Sequence, residues 1–385
     1  MKNESDREWR VFLRADFPEG ITGDLPAEAI VIPPGGEEKL AFSGESLLEE
    51  GAEEKVTVKI LSGNEDSSPA YVITEESFVL RAAKSALGIS ARINGEANIV
   101  ASPGGELQYA VTIRNNTGTP LSDIAASASI NGQMFDFRSL SSSGRISSGG
   151  AKIIWDSGTT NELSRLDPGF EARLFFTIRV REDFPIRNFN DKNFVLGADI
   201  KAEASGGSAG KAVSIARIRT KVSGKLDLSQ KLLYRDADSG FVDDGPFPPR
   251  VGEPTEYIVR WKLSDYGSDM DNIVVSASLG RGVRLTGEKK VFVGELTEKD
   301  GVVQWRLPKL FAGTGVLSGP PEAIFQVSFT PTPGDAGVEG VVIEETSVIA
   351  DDSYAGVRFE DLLPRLTTGL RDDATVKLGE GIVTR

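Results

Sequence analysis

The chain contains no cysteine and no histidine. Without cysteine there are no disulfides, thiolate zinc sites, thiol nucleophiles or internal thioesters, although the compartment stays open because exported proteins also dispense with cysteine. Without histidine the usual general base, metal ligand and physiological pH switch are gone, and most hydrolase mechanisms with them. Apolar runs are short, none approaching the ~20 residues of a membrane span. Met1 to Arg10 is charged, so it reads neither as a signal peptide nor as an anchor. No basic patch with interleaved aromatics occurs, and 57 acidic against 43 basic residues leave a net charge of −14 that repels polyphosphate. Nucleic acid is excluded as a partner on that ground.

What the chain has in quantity is punctuation. Its 42 glycines and 19 prolines separate short runs of alternating apolar and polar residues. These include Val56 to Ile60, Leu107 to Ile113, Arg173 to Val180, Tyr257 to Leu263, Phe325 to Phe329 and Val341 to Val348. A period of two puts every second side chain on one face, as in a half-buried strand. Asn94-Gly95, Asn131-Gly132 and Asn115-Asn116-Thr117-Gly118 supply the positive-φ positions of tight turns. The longest helical candidate, Ser46 to Lys55, lacks a sustained 3.6-residue period. The pattern predicts an all-β chain, and 385 residues at roughly 150 per domain predict two to three domains.

An internal repeat organises these strands. Ile124-Ala-Ala-Ser-Ala-Ser-Ile130 matches Ile273-Val-Val-Ser-Ala-Ser-Leu279 at an offset of 149 residues. Tyr109 and Tyr257 lie 148 apart, Trp155 and Trp305 lie 150 apart, and Glu171 to Ile178 shares its pattern with Glu322 to Phe329 at 151. Loop insertions between strands account for such drift. A partial copy precedes these two, with Gly51 to Val58 resembling Gly169 to Phe176 and Trp9 to Phe17 in the place of Ile124 to Ile130. Its opening strand-turn-strand, present as Leu87 to Asn116 in the next copy, is expected upstream of Met1. Joints at Ala83 to Gly88, Thr220 to Lys225 and Leu366 to Leu370 run directly into strand-like segments, as in sandwiches strung end to end.

The segment Ser102-Pro-Gly-Gly-Glu-Leu-Gln-Tyr-Ala-Val-Thr-Ile-Arg-Asn-Asn-Thr-Gly118, then Leu121-Ser-Asp-Ile124, then Leu166-Asp-Pro-Gly169 before a strand, resemble the conserved repeat domain of bacterial and archaeal surface proteins. That domain is an immunoglobulin-like module without assigned chemistry. Pro249 to Arg260 is similar to the same pattern, with Ser264-Asp-Tyr-Gly267 replacing the Asn-Asn-Thr-Gly turn. The likeness spans most of 87–385 and, more loosely, 1–86. It implies a secreted or membrane-anchored location, as in relatives from candidate-phylum bacteria with reduced genomes, and it brings no catalytic residues.

Several motifs invite sharper readings. Ile153-Ile-Trp-Asp-Ser-Gly-Thr159 matches the apolar-x-Asp-Ser-Gly-Thr pattern of aspartic proteases, whose two carboxylates share a proton. Its only partner, Asp238-Ser-Gly240, follows Arg235-Asp236-Ala237 instead of an apolar strand, and Trp155-Asp156 aligns with Trp305-Arg306, so a core tryptophan beside a turn is favoured. Asp236, Asp238, Asp243 and Asp244 stand around Gly240 like the oxygen donors of a calcium loop, near the start of the last repeat where a cation would stiffen a joint. No glutamate closes that loop at the EF-hand spacing, and a solvated acidic turn is the plainer alternative. Ser205 to Lys211 fails the phosphate-loop spacing at both ends and reads as a hairpin loop, and Leu363 to Gly369 resembles a sortase signal with an extra residue and no apolar tail. Trp155, Trp261, Trp305, Tyr109 and Tyr257 form either a sugar-stacking platform or core, and their repeat-equivalent places favour core. Asn115-Asn116-Thr117 is a glycosylation sequon. Lysine-to-asparagine isopeptide crosslinks stay open, each lowering the intact mass by one ammonia.

Together with the resemblance, these features predict tandem immunoglobulin-like β-sandwich domains in an elongated array: a partial sandwich over 1–86 and full ones over 87–222 and 223–385. The expected role is non-enzymatic, a rod-like spacer, adhesive or envelope component at the cell surface or outside the cell. Its partner would be an unidentified protein or glycan, with membrane contact only through an anchor absent from this sequence. No cofactor is expected beyond the calcium candidate. The alternative is a carbohydrate-binding accessory region of a larger extracellular enzyme, which requires the aromatics on an exposed face.

Overall fold

The computed structural model describes residues 1–18, 21–39, 43–46, 52–63, 69–81, 85–205, 211–377 and 379–385. Among the described residues the regular elements are β-strands and three single-turn 3-10 helices, and no helix is long and apolar enough to cross a membrane. The all-β expectation therefore stands. Residues 47–51 of the helical candidate lie outside the described residues, and its last three open a strand.

The first six strands are β1 (Trp9–Asp16), β2 (Ile21–Asp24), β3 (Ile30–Ile32), β4 (Ser43–Ser46), β5 (Glu53–Gly63) and β6 (Pro69–Arg81). Four of them make an antiparallel sheet in the order β3-β1-β5-β6, and β2 pairs with β4 apart from it. Val11 and Leu13 of β1, Ile32 of β3 and Val56 of β5 are buried.

The next strands are β7 (Leu87–Ile93), β8 (Val100–Ala101), β9 (Glu106–Asn115), β10 (Leu121–Asn131), β11 (Phe135–Ser142), β12 (Arg145–Ile146), β13 (Lys152–Trp155), β14 (Arg165–Leu166), β15 (Glu171–Val180), β16 (Val195–Ser205) and β17 (Lys211–Val222). They form two sheets, β11-β15-β9-β7 and β12-β13-β10-β16-β17-β8, with β14 added to β10. Alternate residues of β9 and β15 face alternate residues of β10 and β16, and all are buried in one apolar core. This is a β-sandwich: two sheets, each apolar on one face, covering one another.

A second sandwich follows from β18 (Lys225–Leu233), β19 (Thr255–Tyr266), β20 (Met270–Leu279), β21 (Val283–Val291), β22 (Glu295–Lys299), β23 (Val302–Leu310), β24 (Glu322–Phe329), β25 (Val341–Asp352), β26 (Val357–Leu363) and β27 (Leu366–Thr367). Its sheets run β18-β19-β24-β21 and β22-β23-β20-β25-β26, around a core of their own. The anchor residues of the sequence occupy matching places: Tyr109 and Tyr257 lie in β9 and β19, Ile124 and Ile273 in β10 and β20, Trp155 and Trp305 in β13 and β23. Both tryptophans satisfy their one donor locally, Trp155 Nε1 to Ser143 Oγ at 3.0 Å and Trp305 Nε1 to the Val293 carbonyl at 2.8 Å.

One assignment needs correction. Gly51 to Val58 is not the counterpart of Gly169 to Phe176, because β5 pairs with β1 and β6, whereas β15 pairs with β9 and β11. The segment that lies as β15 does begins at Glu37, whose bridge to Lys2 mirrors the Arg114–Glu171 pair. Pro34-Gly35, with φ +68° at Gly35, stands for Pro168-Gly169, with φ +79° at Gly169. Both glycines occupy the left-handed region that a β-carbon disfavours. Gly51 imitates this signal with the same Gly-x-Glu spacing before an apolar alternation.

Replacing Trp305 with alanine opens a cavity between two sheets and is expected to cost about 3–5 kcal/mol. Differential scanning calorimetry should show the 223–385 transition lowered and the 87–222 transition unmoved. One common shifted transition would mean that the two cores melt as a unit.

Candidate functional site at the joint between the sandwiches

The residues singled out by sequence are dispersed. Asp236 Oδ2 accepts from Arg260 Nε at 2.5 Å, and Arg260 Nη1 donates to Glu322 Oε1 at 2.9 Å, with side-chain exposures of only 8% for Asp236 and 13% for Arg260. Asp243 Oδ1 accepts from the Gln326 amide at 3.1 Å, and burial pushes its carboxyl above the usual range. Asp238 is exposed in the turn Ala237–Ser239, and Asp244 is exposed with Oδ1 accepting from Gly245 N at 2.8 Å. Among the described residues no group of three or more acidic side chains is arranged to hold a metal ion. Asp156 is tied to Arg145 and to Gly158 N in the turn after β13, while Asp238 precedes β19 of the other core, so the protease pair is not assembled on one element.

Trp155, Trp261, Trp305 and Tyr257 are 0% exposed and Tyr109 1%. Tyr109 stacks on Phe176 at 4.3 Å and Trp261 meets Phe325 edge-on at 5.0 Å, so all five are core and none forms a sugar platform. Asn115 of the sequon is buried, its amide donating to Thr119 O and Leu166 O at 2.8 Å each, which leaves no room for a glycan in the folded protein. Ser205 and Lys211 face each other across the β16–β17 hairpin, and the residues between them lie outside the described residues. Leu363 ends β26 and Leu366–Thr367 is β27, so the sortase-like segment belongs to the sheet.

A different set of side chains meets where the two sandwiches join. β17 ends at Val222 and β18 begins at Lys225, leaving two connecting residues. Gly224 N donates to Asp352 Oδ2 at 2.7 Å, and Asp352 Oδ1 accepts from Tyr354 N and Ala355 N at 2.9 and 2.8 Å. Lys221 Nζ donates to Tyr354 O at 2.8 Å and lies 4.8 Å above the Tyr354 ring. On the other flank, the loop between β15 and β16 reaches across. Phe184 stacks with Tyr266 at 6.3 Å, Asn193 N donates to Gly267 O at 2.7 Å, and Lys192 Nζ lies 2.9 and 3.1 Å from the two oxygens of Asp269. Gly267 is required here twice over: its φ is +88°, and an added β-carbon would overlap the Phe184 ring.

The charges at the joint are graded by burial. For Asp269, burial works to raise the carboxyl, but hydrogen bonds from Lys192 and Ala312 N prevail and hold it below the ordinary range. Asp265, on the inward face of β19, is fully buried, and neither of its oxygens nor Ser268 Oγ has a hydrogen-bond partner. Burial, then the charges of Asp269 and Asp352, pushes its carboxyl up to about 8. It is therefore neutral at pH 7, as an acid surrounded by low-dielectric core and two like charges should be. The sequence signal for this site was Ser264-Asp-Tyr-Gly267, where the second copy departs from the Asn-Asn-Thr-Gly turn. The turn at 115–118 closes on itself, and its replacement closes on the neighbouring sandwich.

No family model matches the chain, and no curated protein matches it. Among solved structures, it is similar to the Streptococcus agalactiae AgI/II polypeptide BspA C-terminal domain, wild type, at 11% identity and a TM-score of 0.26, covering 71% of this chain and 98% of that one. A second wild-type structure of the BspA C-terminal region superposes at 0.27 with 11% identity and the same coverage, and a mutant form at 0.25 with 10% identity, covering 71% and 97%. A superposition this loose establishes no function.

Two predictions follow from the charges. Asp236→Ala removes the Arg260 Nε partner in a nearly closed site and leaves Glu322 as its remaining carboxylate, and should cost about 1–3 kcal/mol in urea unfolding. For Asp265 the unfolded carboxyl titrates near 3.9, so between there and about 8 the folded state holds the extra proton. Its stabilising contribution is complete below the unfolded value, declines as pH rises, and is lost above the folded one. Asp265→Asn should match the parent near pH 4 and exceed it at pH 8 by up to about 5 kcal/mol, whereas parallel stability curves would refute the assignment.

Proposed function

We propose that the chain is a non-catalytic structural or adhesive protein of the cell surface, an elongated array of immunoglobulin-like sandwiches with a stiff joint between its last two. The observation that carries this reading is the joint, where a two-residue connection is gripped from both flanks by a backbone-to-carboxylate bond, an ion pair and a ring stack. Interfaces between sandwiches joined by free linkers leave domain motion as the default, and contacts of this density oppose it. A stiff joint is what a spacer needs to hold a contact surface at a distance.

The immunoglobulin-like assignment is supported by strand order. β7-β9-β15-β11 follows the A-B-E-D order and β10-β16-β17 the C-F-G order, with β8 running parallel to β17. The departure is β11, which comes directly after β10 and before β12 and β13. The division at 87–222 and 223–385 is supported by the extents of the two cores, Leu87 to Val222 and Leu226 to Val383. The buried aromatics speak for a spacer over a carbohydrate-binding module, since stacking on a sugar needs an exposed ring.

Because the parent has no cysteine, introduced thiols are unique labels. Spin labels at Arg173→Cys and Thr297→Cys, exposed positions on the two sandwiches, should give a narrow distance distribution by pulsed electron resonance. Adding Phe184→Ala and Lys192→Ala should broaden it. A broad distribution in the parent would overturn the stiff-spacer reading.

A further inference from the structure

The two complete sandwiches treat the same sheet edge differently. In the first, β8 runs parallel to the end of β17 and pairs Val100 and Ala101 with Lys221 and Val222. In the second, the residues at the matching Gly252-Glu253 turn bond elsewhere, Val251 N donating to Thr384 O at 2.9 Å and Thr384 N to Pro249 O at 2.8 Å. β26 is left as the last strand of its sheet, paired with β25 on one side and, among the described residues, with no strand on the other. Edge strands of soluble proteins are commonly blunted by proline, by a bulge or by brevity. β26 uses none of these: its seven residues, Val357-Arg-Phe-Glu-Asp-Leu-Leu363, run against β25 without a register shift.

The charges on this edge are their own complement. Val357, Phe359, Asp361 and Leu363 share a face with Ala350 and Val348 of the core, and Arg358, Glu360 and Leu362 share the outward face. Arg358 Nε lies 2.9 Å from Glu360 Oε1, and the two side chains are 59% and 65% exposed. A two-fold axis normal to the sheet sets an edge strand antiparallel to its own copy, keeps the inward faces on one side, and passes through a residue. With the axis on Arg358, Glu360 or Asp361, that charge opposes itself, and an axis at either end leaves less than half of the strand paired. With the axis on Phe359, that ring meets its copy, Arg358 of each chain lies opposite Glu360 of the other, and Asp361 lies opposite Val357. Aromatic and opposite-charge pairs stabilise while like charges directly opposed destabilise, so one register is selected. It also brings Leu362, 61% exposed, opposite Gly356 of the second copy, beside a cleft of about 410 Å³ whose walls include Val100, Pro103, Val357 and Phe359.

We propose that a second copy of this chain binds along β26, edge to edge and antiparallel, with Phe359 on the two-fold axis. Backbone hydrogen bonds join the two sheets into one, and the crossed pairs of Arg358 and Glu360 fix the register. The contact is isologous and closes on itself, so it gives dimers and not filaments. It adds a partner to the spacer reading and does not depend on the stiffness of the joint.

Sedimentation equilibrium of the full chain at up to about 1 mM tests the pairing. The parent is expected to show a monomer–dimer equilibrium. Glu360→Arg sets two positive charges opposite one another, and Arg358→Glu two negative ones, twice in each dimer. Each variant should therefore associate at least about tenfold more weakly than the parent. An equimolar mixture of the two variants restores opposite charges across the axis and should dimerise as the parent does, a rescue that loss of folding could not give. A monomeric parent, single variants that associate as tightly as the parent, or a mixture no tighter than its components would overturn the proposal.

Discussion

An apolar sheet face in water is stable only when another face lies on it, and that requirement governs every level of this chain. At about 25 cal/mol per Å² of buried apolar surface, a tryptophan enclosed between sheets contributes several kcal/mol, and each sandwich places Trp155 or Trp305 at that position. With the inward positions taken by Tyr109, Phe176, Trp261 and Phe325, the outward positions are free to carry the acidic surface that keeps the protein dispersed. Among the described residues the first sheet buries Val11, Leu13, Ile32 and Val56 on its apolar face, while Phe78 and Leu80 of β6 on that face are 39% and 36% exposed.

Electrostatics at the joint is subordinate to that burial. Where side chains keep partial contact with water, as at Lys192 and Asp269 with 34% and 19% exposure, ionised groups pair directly. Where contact is lost, as at Asp265, the carboxyl gives up its charge. Desolvation decides between the two outcomes, since an unpaired buried ion costs more than holding a proton. Asp352 is buried as well, and its oxygens take up three backbone N–H groups. The joint between the sandwiches is therefore built from one neutral acid, one ion pair and one carboxylate that acts as a cap.

The strands and the core were legible in the sequence because alternation is a local property. Leu107 to Ile113 and Tyr257 to Leu263 show their inward faces within one window, and the buried residues are the ones the alternation names. The calcium reading of Asp236 to Asp244 rested on local spacing, whereas the partners that the fold gives these residues are distant: Asp236 pairs with Arg260, a strand away, and Asp243 accepts from Gln326. The likeness of Gly51 to Gly169 misled for a related reason: a Gly-x-Glu start followed by alternation marks a strand but not its place in a sheet. Pro34-Gly35 carried the better signal, since a positive-φ glycine after proline specifies the turn that leads into that strand.

The sequence by itself determined the all-β class, the alternation that sorts inward from outward side chains, the repeat positions of its aromatic anchors, and the exclusion of thiol and imidazole chemistry. Tertiary structure alone decided which strand edges are paired, which carboxylates are charged, and where one sandwich grips the next. The physical reason is range. Alternation acts between residues two apart, whereas Lys192 and Asp269 are 77 positions apart and Gly224 and Asp352 are 128 apart. Their meeting depends on sheets that have first been closed by their cores.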